Sequence, residues 1–169
     1  MKPKTPENSK TIQTDIVLPA DTNSLDNLFG GELLARMDKV ASIAAIKHSE
    51  QIVVTASINN VAFGEPVPNG SILTIEAKVS RAFNTSMEVF IDVWKQNNTH
   101  KKRVKVNEAI YTFVAVSKSG KTVKVPPLVP ETELEKKRFD AALRRRQLSL
   151  VLAGKMKANE ATELKAIFD

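Results

Sequence analysis

No cysteine occurs in the 169 residues, which excludes disulfides, thiolate metal sites and a cysteine nucleophile. Histidine is nearly as scarce. His48 and His100 are the only two, too few for a histidine-built metal centre. Aromatic residues make up 5% of the chain, and the basic loops lack the interleaved aromatics of a nucleic-acid stacking platform. No apolar run approaches the roughly 20 residues that span a bilayer. The first ten residues, MKPKTPENSK, lack the apolar stretch of a secretory signal. The expectation is a soluble cytoplasmic protein with neither a membrane nor a nucleic acid as its partner.

What is present suits one globular domain. The chain is 42% hydrophobic and long enough to bury a core. Its net charge of +6 is spread along the chain rather than gathered in a tail. Locally, KQNNTHKKRVK (95–105) carries five basic residues and no acid, and RRR (144–146) follows KKR (136–138). Such patches attract anions, among them a phosphorylated small molecule, though a solvated surface explains a single run equally well.

Residues 1–10, with Pro3, Pro6 and many polar side chains, read as disordered. TIQTDIVLP (11–19) reads as a strand and ADTNSLDNLFGG (20–31) as a turn-rich loop. Gly30 and Gly31 open a helix to about residue 47. Strands follow at 51–63, 71–83, 85–96 and 107–117. In the second of these Leu73, Ile75, Ala77 and Val79 point one way and Thr74, Glu76, Lys78 and Ser80 the other. The run 107–117 is apolar on both faces, which points to a central position. From Thr132, a candidate N-cap, a helical extension covers 131–169. Strands joined by short turns give an antiparallel sheet with one helix packed on it, an α+β fold without internal repeats.

Three features on this frame bear on chemistry. Winding residues 30–49 at 100° per residue puts Leu34, Met37, Ala41, Ala44 and Ala45 on one face, with Glu32, Arg36 and Lys39 roughly opposite. Asp38 falls inside the apolar face. A carboxylate buried there is either half of a structural ion pair or a base whose burial suits it to neutral pH. Gly30-Gly31 leaves the N–H groups of the first helical turn unshielded, a natural oxyanion site, or else permits only a tight turn. Asn23 either shapes its loop or presents an amide donor. His48, at the helix end, suits a cap or dipole role. Ser24 and Ser86 show no triad spacing, and no P-loop or nucleotide-binding glycine fingerprint is present.

Several motifs occur together: P-x-D-x-N at 19–23, F-G-G at 29–31 with an aspartate seven residues after the second glycine, and V-T-A at 54–56. F-x-x-P-V-x-x-G at 63–70, T-S-M-E-V at 85–89 and F-V-A-V at 113–116 complete the set. Over about residues 15–146 the chain resembles the hotdog-fold acyl-CoA thioesterases, in particular the bacterial acyl-CoA hydrolases related to brain acyl-CoA hydrolase.

The resemblance implies an antiparallel sheet wrapped around a long helix over 11–130. It implies dimers joined edge to edge and assembled as a trimer of dimers into a homohexamer. In that arrangement Asn23 of one subunit meets Asp38 of its neighbour. The Gly31 N–H polarises the thioester carbonyl, Asn23 orients water or carbonyl, and Asp38 acts as base or nucleophile. No metal or cofactor is implied beyond the coenzyme A of the substrate. The stretch RAFNTSMEV (81–89) would run beside the pantetheine, making Asn84, Thr85 and Ser86 contacts, although Asn84 stands where many relatives have glycine. Arg81, residues 101–103 and Arg144 to Arg146 compete for the CoA phosphates. Residues past 147 lie outside the resemblance and suggest an amphipathic helix packing on a neighbouring subunit. The alternative function is an acyl-CoA-binding hotdog protein that does not hydrolyse. A dehydratase of this fold would need a histidine near the helix start, and residues 12–47 contain none.

Overall fold

A computed structural model describes residues 1–97 and 102–168. His100 and Lys101 lie outside the described residues. The elements run α1 (Pro6–Ser9), β1 (Thr11–Ile16), a 3-10 turn (Pro19–Asp21), α2 (Gly30–Ser49), β2 (Ile52–Phe63), β3 (Ile72–Ala82), β4 (Ser86–Gln96), β5 (Val104–Val116), α3 (Glu133–Leu152) and α4 (Thr162–Lys165). All strand pairs are antiparallel, in the spatial order β1-β3-β4-β5-β2.

The period-2 pattern of β3 and β4 builds the core directly. Leu73, Ala77, Val79, Met87, Val89, Ile91 and Val93 are 0% exposed and Ile75 is 2% exposed, all gathered in one cluster with the buried face of α2. Each fully buried Val, Ile, Leu or Met side chain contributes about 1.5–3 kcal/mol relative to exposure. Strand β5 has neighbours on both sides, as its apolar character predicts. The face of α2 that meets the sheet is Leu33, Met37, Val40, Ala41, Ala44, Ala45 and His48, rotated slightly from the expected stripe; Leu34 is only half-buried.

Helix α3 covers part of the other face of the sheet, above the outward side chains of β4. There Arg145 makes a bidentate bond to Glu88, with both N–O distances 2.8 Å, and Arg138 Nη2 donates to Asp92 at 2.8 Å. Glu88, 4% exposed, also accepts from Ser80 Oγ at 2.6 Å. A carboxylate buried at that depth persists only when its lone pairs are so engaged. Thr132 caps α3, its hydroxyl accepting from the Glu135 N–H while the Glu135 carboxylate accepts from the Thr132 N–H.

Two expectations about the ends change. Residues 1–10 are ordered: Ser9 is buried and its Oγ accepts from the Val79 N–H, while Lys4 Nζ donates to the His48 carbonyl and to Glu50. Composition hides this because each anchor is a single polar contact to a distant residue. Beyond residue 147 the chain continues α3 and then folds back on it. The Leu164 N–H donates to Gln147 Oε1 at 2.9 Å and Ala161 is 1% exposed. It is an internal hairpin, not a single amphipathic helix.

Candidate active site

Helix α2 begins abruptly. Phe29 precedes it in extended conformation, no side chain caps it, and its first N–H groups lie at the positive end of the helix dipole. A Cβ on Gly31 would lie 3.0 Å from the Phe29 ring, so any larger residue there requires that exposed ring to shift. Phe29 and Phe63, each 58% exposed, flank the opening.

Two turns further, Asp38 sits on the rim of α2, half-buried at the boundary between the core and the surface facing β2. Thr55 Oγ1, on β2, donates to Asp38 Oδ1 at 2.8 Å. No lysine or arginine among the described residues pairs with Asp38, so the structural ion pair considered from sequence is not formed within the chain. Below this turn lies Tyr111, fully buried, whose hydroxyl donates to the Leu34 carbonyl at 3.1 Å. That carbonyl is also the helical acceptor for the Asp38 N–H, so Tyr111 ties the Asp38 turn to β5. Burial, and next the negative charge of Asp38, push the Tyr111 hydroxyl up to about 12, and it remains a donor.

Asn23 lies on the loop between β1 and α2. Its side-chain oxygen accepts from the Leu25 N–H at 2.9 Å and the Asn27 N–H at 3.3 Å, which is the loop-shaping role. Its side-chain NH2 makes no hydrogen bond among the described residues, and the residue is exposed. Among the described residues no hydrogen bond joins Asn23 to Asp38.

Arg36, expected opposite the buried face, is 8% exposed. Its Nη1 lies 3.1 Å from Asp15, Nη2 lies 2.8 Å from Asp21, and Nε donates to Glu32 at 2.9 Å. Three carboxylates compensate one buried cation and clamp β1, the Pro19–Asp21 turn and the first turn of α2 together. The Leu18 N–H, and secondarily Arg36, hold the Asp21 carboxyl below its usual range. The clamp fixes both ends of the segment that carries Asn23.

The stretch 81–89 is a tight hairpin between β3 and β4 rather than one strand. Asn84 is exposed, and its carbonyl and that of Thr85 accept from Val125 and Ala115. Ser86 is buried, its hydroxyl accepting from Arg146 Nη1 at 3.3 Å. Of the residues read from sequence, Asp38 gains a partner that was missed. Thr55 belongs to the V-T-A motif, yet a lone strand threonine carries no chemical signal by itself. His48 is wholly buried, with Nε2 donating to the Pro126 carbonyl at 2.8 Å, and burial holds it below its ordinary pKa. That environment suits a neutral core residue and not a charged partner of the helix dipole. Among the described residues, no group of three or more His, Asp or Glu is arranged to hold a metal ion, and no helix is long and apolar enough to cross a membrane.

Residues 25–102 match the family model described as the thioesterase superfamily. A Bacillus subtilis protein described as an uncharacterized acyl-CoA thioester hydrolase is 39% identical over 81% of this chain and 80% of its own. A solved hexameric acyl-CoA thioesterase superposes with a TM-score of 0.87 at 40% identity, covering 90% of this chain and 98% of that one. An acyl-CoA hydrolase from Staphylococcus aureus, solved with butyryl coenzyme A, coenzyme A and coenzyme A disulfide, gives a TM-score of 0.82 at 35% identity, covering 96% and 98%. Variants of that enzyme with an asparagine, an aspartate or a threonine replaced by alanine have also been solved; the three positions lie 15 and 17 residues apart. Asn23, Asp38 and Thr55 have the same spacing. With its five-stranded sheet curled on a long helix, the chain belongs to the hotdog-fold acyl-CoA thioester hydrolases of the thioesterase superfamily.

Proposed function

We propose that this protein hydrolyses acyl-CoA thioesters to a free fatty acid and CoA, at a site shared by two subunits. One observation carries the reading: a half-buried carboxylate, Asp38, without a cationic partner and oriented by Thr55, on the helix whose uncapped N-terminus opens at Gly31. Asp38 is the general base. It takes a proton from water as the water oxygen attacks the thioester carbonyl carbon. The Gly31 N–H holds the oxyanion that forms, a contribution of about 3–4 kcal/mol for such a donor. The C–S bond then breaks, and the thiolate recovers the proton from Asp38. Asn23, with its side-chain NH2 available, orients the water or the carbonyl. No metal or cofactor enters the reaction.

The second subunit has a place to dock. Strand β2 is a 12-residue sheet edge with Ile52, Val54, Ile58 and Phe63 between 42% and 58% exposed. A long apolar edge of this kind pairs with another strand unless it is protected. Edge-to-edge dimers assembled into a hexamer fit this edge and the hexameric relative. Asn84, Thr85, Ser86 and Arg81 line the proposed approach of the CoA moiety, and the cytoplasm is the proposed location.

The test is thiol release from acyl-CoAs between acetyl and palmitoyl, with and without EDTA. Release that is unaffected by EDTA is expected. Absence of release at every chain length, from a protein that binds CoA, would instead establish a non-hydrolytic binder.

A further inference from the structure

Three arginines of α3 that meet the sheet, Arg138, Arg145 and Arg146, differ in what they hold. Arg138 and Arg145 are consumed by Asp92 and Glu88, and the Arg138 guanidinium also stacks on Phe90 at 3.7 Å. Arg146 has no carboxylate within ion-pair distance among the described residues. Its guanidinium lies 4.4 Å from the Phe83 ring centre, and Nη1 donates to Ser86. Arg81, on β3, shares the same ring at 5.8 Å, lies over Phe139 at 4.0 Å, and donates to the Phe139 carbonyl at 2.9 Å. It too lacks an ion pair; Asp140, Glu163 and Glu88 act on it only at longer range.

Both guanidiniums are half-buried, and burial pulls both below their ordinary range without discharging an arginine. Two desolvated cations held around one phenyl ring repel each other, and among the described residues neither has a carboxylate within ion-pair distance to compensate it. An anion would relieve both conditions. The ring they share also lines an open cleft of about 380 Å³ together with Asn84 and Lys124. A planar guanidinium matches a phosphate with two parallel N–H donors, which an uncharged acyl thioester cannot use.

We infer that Arg146 and Arg81, gathered on Phe83 at the β3–β4 hairpin, bind a phosphate group of the CoA moiety at the Phe83 edge of that cleft. The inference rests on the proposed acyl-CoA substrate and assigns Arg146 of α3, a helix outside the sheet, as a determinant of substrate class. It also separates Arg146 from Arg145 and Arg138, which the sequence leaves equivalent.

The experiment compares wild type, Arg146→Gln and Arg146→Lys in two assays. One is calorimetric titration with CoA and with dephospho-CoA. The other is hydrolysis of butyryl-CoA and of S-butyryl-N-acetylcysteamine, a thioester without phosphates. Arg146→Gln is expected to weaken CoA binding and raise KM for butyryl-CoA by about 10-fold, with kcat and the phosphate-free reaction unchanged and Lys recovering part of the loss. A difference confined to CoA over dephospho-CoA assigns the 3′-phosphate; an equal loss on both assigns the diphosphate. Equal effects on both thioesters, or unchanged CoA affinity with a dissociated oligomer, would overturn the inference and make Arg146 a structural or intersubunit contact. If wild type hydrolyses neither thioester while Arg146→Gln still loses CoA affinity, the phosphate site stands and the hydrolase reading falls.

Discussion

The hydroxyl of Thr55 donates to the carboxylate of Asp38 across the gap between β2 and α2, at 2.8 Å. This bond fixes which carboxylate oxygen remains available, since Oδ1 is engaged by the strand and Oδ2 accepts no hydrogen bond among the described residues. It also couples the rim of the helix to the strand whose outer edge is exposed, so a partner strand on β2 would bear on the reacting group itself.

Replacing Thr55 by alanine removes that donor and leaves the fold intact, because the side chain lies outside the core cluster. A hydrogen bond to a charged group is worth roughly 1.5–3 kcal/mol. With Thr55 exposed, the low end applies, and kcat should fall about 10-fold. Thr55→Ser should recover most of it. Steady-state kinetics on the three proteins, with KM nearly constant, checks the assignment; alanine at wild-type kcat would show that Thr55 does not orient the base.

Acid sensitivity should arise first at His48. Its folded pKa lies below the unfolded value of about 6.5 because burial disfavours the imidazolium. The unfolded state therefore binds more protons, and the stability contributed is complete above pH 6.5 and declines as pH falls through the window below it. Carboxylates held low by partners, among them Glu7 beside Lys78 and Asp21 under the Leu18 N–H, add a second loss only below about pH 4.5. Melting temperatures from pH 8 to 5 should fall in wild type, and less steeply in His48→Gln. Parallel slopes would remove His48 as the cause.

The sheet was legible in the sequence because its apolar buried positions alternate along β3 and β4, while the burial of Glu88 and Asp92 on the other face, under α3, left no apolar signal. Asp38 was legible as an anomaly on its helix. Arg36 was not: a helical wheel ranks it as surface, and the carboxylates that bury it come from Asp15 and Asp21, far along the chain. Arg145 and Arg146 are adjacent in sequence, yet one neutralises Glu88 and the other stacks on Phe83. Only the angle between them on α3 separates their roles, and a run of three arginines does not reveal it. Thr55 gained meaning once β2 was seen to pass beside α2.

The most direct measurement is kcat and thermal melting of Asp38→Asn on one preparation, using the best acyl-CoA substrate. Asparagine keeps the size of the side chain and can still accept from Thr55, but it cannot take a proton from water. The expected result is a kcat lower by about 10²–10⁴-fold, with an unchanged oligomer and a melting temperature equal to or slightly above that of wild type. A folded Asp38→Asn protein that releases CoA at the wild-type rate would contradict the assignment of Asp38 as the base.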